Sequence, residues 1–182
     1  MNKISPSFSD KNYLGEFLDL ESFLGGRASE KMNKIKGFFL GFRKDSIVFD
    51  LEKSLVTYLK VLRLVEVCKK SSFSILFVGC PPLIKALVQE KLSDSKHRFI
   101  DESSWVLGSL TNPNRSELFP SLIISFNLTC SFPSKESLKK GIPLVSFMDE
   151  SGDFSFVDYP IFINLKSEGA SRMYYNLIKR SI

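Results

Sequence analysis

Apolar and polar positions change rhythm several times along this chain, and each change marks an expected element. From Leu51 to Lys70, the residues Leu51, Leu55, Tyr58, Leu59, Leu62 and Val65 recur every three or four positions, the stripe of an amphipathic helix. Lys69 and Lys70 suit the negative end of that helix. The run FSILFVG, 73–79, is continuous and rich in β-formers, as a strand covered on both faces must be. SLIISF at 121–126 and PLVSFM at 143–148 read the same way, with shorter strands at HRFI, 97–100, and PIFIN, 160–164. SIVFD, 46–50, following FFLGF at 38–42, is expected as the first strand. Between these runs lie helical stretches. Pro82–Leu92 begins on prolines tolerated in a first turn, Ser134–Lys140 is stopped by Gly141, and Ser167–Lys179 turns Met173, Tyr174 and Leu177 inward.

Strand alternating with helix predicts an α/β protein, a doubly wound, mainly parallel five-stranded sheet of flavodoxin-like (Rossmann-like) order with helices on both faces. Residues 1–36 are polar and mixed. They are expected as an irregular N-terminal extension with a short amphipathic helix around Tyr13–Leu24, ahead of a single domain at 37–182. No internal repeat and no low-complexity tract interrupts this plan.

The chain has 182 residues, net charge +5 and an isoelectric point near 9.1, a mild bias toward an anionic partner. No apolar run reaches the roughly 18–20 residues of a membrane span, and the opening residues lack the apolar stretch of a secretory signal and carry too many acids for a transit peptide. Cys68, Cys80 and Cys130 have no metal-ligand or redox spacing and are expected as reduced core or near-core thiols. Alanine occurs only at 28, 86 and 170 while Phe, Ser, Lys, Ile and Asn abound, the residue usage of an A/T-rich genome such as many organelles have.

Candidate chemistry is sparse. Asp149, Asp153 and Asp158 lie near the end of a strand where loops gather, and oxygen-rich clusters suit Mg²⁺; aspartates at such points more often cap turns. VGCPP, 78–82, occupies the place of a phosphate loop, but it has one glycine and two prolines that remove donors. His97 is the only histidine, which excludes a His-pair metal site within the chain and is expected as a buried residue entering a strand, with a Cys80–His97 nucleophile pair as the other reading. Trp105 is either a base-stacking ring or a core anchor. The basic positions are the strongest functional signal. Arg27, Lys31, Lys34, Lys36, Arg43 and Lys44 crowd one region with Phe38, Phe39 and Phe42 interleaved, and smaller groups follow at Lys135, Lys139, Lys140 and at Arg172, Lys179, Arg180.

Ordered blocks along most of the chain resemble the small-subunit ribosomal protein S-two family of bacteria and organelles. GFRK, 41–44, is similar to the family's Phe-Gly-x-Arg-Asn stretch, IVFDLEKS, 47–54, to its Ile-Ile-Asp-Leu-Glu-Lys-Thr, and SWVLGSLTN, 104–112, to its Arg-Trp-Leu-Gly-Gly-x-Leu-Thr-Asn. ILFVG, FPSLIISF and the Gly141–Asn164 block fit its remaining strands. The departures are specific: Phe23 and Gly26 replace two histidines, Cys80-Pro81-Pro82 stands where a Lys or Arg is usual, and Asn112 is followed almost at once by Phe119-Pro120, so the family's protruding helical hairpin is expected to be deleted.

The resemblance implies a structural constituent of the small ribosomal subunit, on its solvent side between head and body, and no enzyme. It further implies binding to small-subunit ribosomal RNA and neighbouring ribosomal proteins, with no cofactor, no small-molecule substrate, no membrane and no homo-oligomer expected. The pruned hairpin and the codon bias point to a mitochondrial ribosome, in the matrix. The expected RNA-binding residues are Arg27, Lys31, Lys34, Lys36, Arg43, Lys44, Asn112 and Arg115. The alternative is a flavodoxin-like nucleotide- or metal-binding enzyme domain using the loops after Gly79 and Asp149.

Overall fold

The computed structural model describes residues 22–27, 36–93, 95–112, 120–128, 131–152 and 154–182. The expected short helix at Tyr13–Leu24 lies almost wholly outside them. In chain order the elements are β1 (Leu24–Arg27), β2 (Phe39–Arg43), β3 (Ser46–Phe49), α1 (Leu51–Lys70), β4 (Ile75–Val78), α2 (Lys85–Ser93), β5 (Arg98–Ile100), β6 (Leu122–Phe126), α3 (Phe132–Lys140), β7 (Leu144–Met148), β8 (Tyr159–Phe162) and α4 (Glu168–Ser181).

β4 to β8 form one parallel sheet in the order β5-β4-β6-β7-β8. Counted from β4 this is 2-1-3-4-5, the flavodoxin-like order expected from the alternation of strands and helices. β4, β6 and β7 are buried at every position, because helices cover one face and a mixed layer covers the other. On the helical face, Phe77, Ile124, Phe126, Val145, Phe147 and Ile161 meet the inward residues of α1, α2 and α4. The rings of Phe126, Phe147 and Phe77 approach Tyr174 edge-on with centroids 5.3, 5.6 and 6.1 Å away, the arrangement aromatic quadrupoles favour. Two buried hydroxyls tie the layers: Tyr58 donates to the Met173 carbonyl and Ser54 to the Phe162 carbonyl. Asp50 caps α1 by accepting from the Lys53 amide, and Ser167 caps α4 by accepting from the Ala170 amide. Gly141 ends α3 at φ 66°, the left-handed stop.

One expected strand goes elsewhere. Ser46–Phe49 does not join the parallel sheet. A two-residue turn, Lys44-Asp45, folds it back on β2, and together with β1 it makes a separate antiparallel sheet of order β1-β3-β2. Its alternating burial suits a strand with one face in the core and one facing out. Ile47 and Phe49 pack with Met148 and Phe162 over the second face of the large sheet, and Phe38 fills the seam at 4.7 Å from the Phe162 ring. Further along that face lie Leu110, Leu128 and the half-buried Trp105.

His97 is a core residue. Its Nδ1 accepts from the Ile75 amide at 3.1 Å and its Nε2 lies 3.0 Å from the Ser181 carbonyl, so the neutral tautomer with the proton on Nε2 satisfies both. Burial lowers its pKa below the ordinary 6.5. The unfolded chain therefore takes up a proton before the native one does. The contribution of His97 to stability is whole above about pH 6.5 and shrinks as pH falls from there toward the lowered native value. As the only histidine, its ring protons are unambiguous in an NMR titration. They should stay at their neutral positions through pH 6.5, and the urea midpoint should decline below it; a native ring titrating at 6.5 would contradict this placement.

Candidate functional site

In a doubly wound sheet the ligand crevice opens beyond the strand ends where the strand order reverses, here between β4 and β6. That place is occupied by the protein's own groups. The Gly79 amide donates to the Ile100 carbonyl at 2.8 Å, and the Gly79 carbonyl accepts from the buried Tyr174 hydroxyl at 2.7 Å. Pro81 and Pro82 carry no amide hydrogen. Asn127, at the end of β6, donates its amide to the Phe147 carbonyl. A phosphate needs converging free N–H groups, and these positions offer none.

The acidic and thiol candidates are likewise engaged in structure. Asp149 accepts from the amide and hydroxyl of Ser151, and Asp158 accepts from the Leu144 amide at 2.8 Å. Asp153 lies outside the described residues, and among those described no cluster of three metal-ligating side chains forms. Cys68 is buried and Cys80 half-buried. Burial raises both thiols above their ordinary pKa, away from the reactive thiolate. Cys130 lies outside the described residues. With both ring nitrogens of His97 engaged by backbone, that residue is no partner for Cys80.

The basic region is arranged differently. Arg27 at the end of β1 and Arg43 at the end of β2 are both register partners of Ser46 on the central strand β3. Cross-strand partners share a face, so the two guanidinium groups rise on the same side of the small sheet, with Cα atoms two strand spacings, about 10 Å, apart. That side is the outer one, since the buried positions of β3, Ile47 and Phe49, point the other way into the core, with Phe39 opposite Phe49. Lys44 sits at the hairpin tip with φ 55°, a conformation that ordinarily favours glycine or asparagine. Arg27, Arg43 and Lys44 are exposed and make no ion pair among the described residues. The result is a short cationic ridge on the outer face of the small sheet.

Of the other expected RNA-binding residues, Lys31, Lys34 and Arg115 lie outside the described residues, and the side chain of Lys36 is also undescribed. Asn112 is exposed at the end of the 104–112 loop, where its amide donates to the Gly108 carbonyl. Phe38 and Phe39 pack inward, leaving Phe42 as the exposed ring of the three. Lys135, Lys139 and Lys140 are exposed on α3, whereas Arg172 and Arg180 pair with Glu168 and Glu66.

Trp105 is held as an anchor. Its Nε1 donates to Glu136, and the same carboxylate accepts from the amides of Gly108 at 2.8 Å and Leu110 at 2.9 Å. Glu136 is buried and thereby straps the 104–112 loop to α3. In sequence it reads as one more charge in a lysine-rich helix, and its partners are more than 25 positions away, so no local pattern reveals it.

A doubly wound α/β scaffold with its switch point filled by its own backbone, and with a small antiparallel sheet carrying exposed arginines appended to one face, defines the class of domain. Within that class, the chain belongs to the family described as Ribosomal protein S2, whose model matches residues 17–118, more than half of the chain. It is therefore a small-subunit ribosomal protein, a structural component of a ribosome. No curated protein matches the chain.

Proposed function

We propose that this protein serves in the small subunit of a mitochondrial ribosome, where the outer face of the β1-β3-β2 sheet grips ribosomal RNA. The observation that carries the reading is the placement of Arg27 and Arg43 on either side of Ser46. It gives two planar cations at a spacing that suits neighbouring phosphates, on a surface with no carboxylate partner among the described residues. Lys44 extends the ridge, and Lys31, Lys34 and Lys36 belong to the segment joining its two edge strands. Asn112 and Arg115 form a second point of attachment where the family's helical hairpin is pruned. The task is to neutralise phosphate and fix RNA segments relative to one another, on the solvent side between head and body, alongside neighbouring ribosomal proteins and as a single copy.

The mitochondrial assignment draws on the A/T-rich residue usage and on the shortened 112–120 connection. Loop chemistry after Gly79 and Asp149 gives the enzyme alternative no support.

The test is incorporation. A chain carrying Arg27→Glu, Arg43→Glu and Lys44→Glu should fold normally, because all three side chains are exposed, yet enter the small-subunit peak of a mitochondrial extract gradient roughly 10- to 100-fold less well. For every phosphate that the variant no longer neutralises, the salt slope of RNA binding should fall by about 1. Lys44→Gly is the internal control. It relieves a left-handed lysine, leaving stability equal or about 1 kcal/mol higher, while still weakening RNA binding. Unchanged incorporation of the triple variant would remove the ridge from the interface.

A further inference from the structure

The end of the molecule where the parallel strands begin carries a recess of about 420 Å³. The cationic ridge belongs to the other end, since its sheet packs over Met148 and Phe162, the last residues of β7 and β8. Three lysines from three places in the chain line the recess: Lys69 in the last turn of α1, Lys91 in the last turn of α2, and Lys96 in the turn before β5. All three are exposed and make no ion pair among the described residues, and no acidic side chain among those residues lines the recess. The walls are fixed by bonds within the fold. The Ser95 hydroxyl donates to the Leu92 carbonyl at 3.1 Å and accepts from the His97 amide at 3.2 Å, which holds the turn that carries Lys96. The His97 ring is pinned between the Ile75 amide and the Ser181 carbonyl. Lys96 also leans toward α1, because its charge offsets part of the upward push that burial gives the Cys68 thiol.

We propose that this recess binds a free, compact, multiply charged phosphate, of the class of pyrophosphate or the diphosphate end of a nucleotide. Lys69 and Lys91 complement the negative ends of their helices, but Lys96 ends no helix, so the dipoles leave the third cation unexplained. Like charges grouped around one concavity repel, and an anion seated between them turns that repulsion into attraction. Lysine holds phosphate as a point charge, and the volume is that of small-ligand pockets, which run from roughly 300 to 1,000 Å³. Ribosomal RNA is the poorer occupant. Each backbone phosphate brings a single negative charge, whereas three cations around one hollow call for several charges on one small group. RNA held by the ridge would also have to wrap the domain to reach this end. The fixed walls lower the ordering cost of binding.

His97 is the only histidine and lines the recess, so its ring reports on what enters. Inorganic pyrophosphate titrated into the full chain at neutral pH should shift the His97 ring resonances along a saturating NMR curve. Lys91→Gln with Lys96→Gln removes two charge-assisted contacts from exposed positions and should raise the half-saturating concentration at least about tenfold. Lys135→Gln with Lys139→Gln, which do not line the recess, should leave it unchanged. In each variant the ligand-free ring spectrum verifies that His97 is still neutral and pinned, and so that the chain is folded. A response that does not saturate, that sodium chloride reproduces at equal ionic strength, or that the Lys91→Gln, Lys96→Gln chain retains in full overturns the inference. A second arm reads the source of the phosphate. Gradient-purified small subunits with a benzophenone amino acid at Lys70, next to Lys69, should bind radiolabelled pyrophosphate and give no rRNA adduct on irradiation. An rRNA adduct there would assign the recess to the RNA backbone and overturn the free ligand. The inference does not depend on the ridge, so failure of the Arg27, Arg43 and Lys44 test would leave it standing.

Discussion

Replacing Glu136 with alanine should destabilise the protein by about 3–4 kcal/mol, because two backbone amides and an indole N–H are deprived of a charged acceptor inside the fold. The Leu110 amide is buried and the Gly108 amide part-buried, and a buried amide left unpaired bears its full desolvation cost. Glu136→Gln keeps the shape and one acceptor oxygen but turns an NH₂ toward an N–H, so about half that loss is expected. Urea unfolding followed by Trp105 fluorescence reports both stability and the local environment of the strap. A Glu136→Ala midpoint within about 0.5 kcal/mol of the parent would show that the loop is held by other means.

The second large effect is expected at Gly79. Its φ of 67° lies in the left-handed region, and a Cβ there would stand 2.8 Å from the carbonyl oxygen of Phe126, a backbone atom of the adjacent strand. Alanine must move β4 against β6 or flip the turn, and flipping would forfeit the Tyr174–Gly79 bond. About 2–4 kcal/mol is the expected loss. Tyr174→Phe, which removes only that hydroxyl, should cost about 1–1.5 kcal/mol. Parent-like stability of Gly79→Ala would mean that the turn has room the structure denies it.

The three central strands β4, β6 and β7 were legible in the amino-acid sequence because burial on both faces leaves unbroken apolar runs, and the shorter edge strands β5 and β8 followed from the alternation with helices. α1 was legible because its stripe keeps helical spacing for five turns. β1 and β2 were not. LGGR and FLGFR are short and lack clean alternation, since β2 carries a register shift between Phe39 and Gly41 that leaves Leu40 73% exposed. Missing them misplaced β3, whose antiparallel partners are those two strands. The basic cluster could be read from composition, but only the register shows that Arg27 and Arg43 share a row. Glu136 was illegible for a different reason. Its role depends on segments distant in the chain meeting in space, and sequence distance hides such pairs.

Tyr174, Met173 and Leu177 of α4 close a core whose other walls come from α1 and the β4-β6-β7 strands. Of the elements packed on that face, α4 follows all the others along the chain. Until Glu168–Ser181 leaves the tunnel, the part of the sheet that Tyr174 covers, with Phe77, Phe126 and Phe147, stays open beside α1 and α2 and presents a sticky surface. Chains halted near residue 167 should therefore be digested rapidly by added protease while chains that include α4 resist. A cell making this protein would have to shield that aromatic surface until α4 arrives.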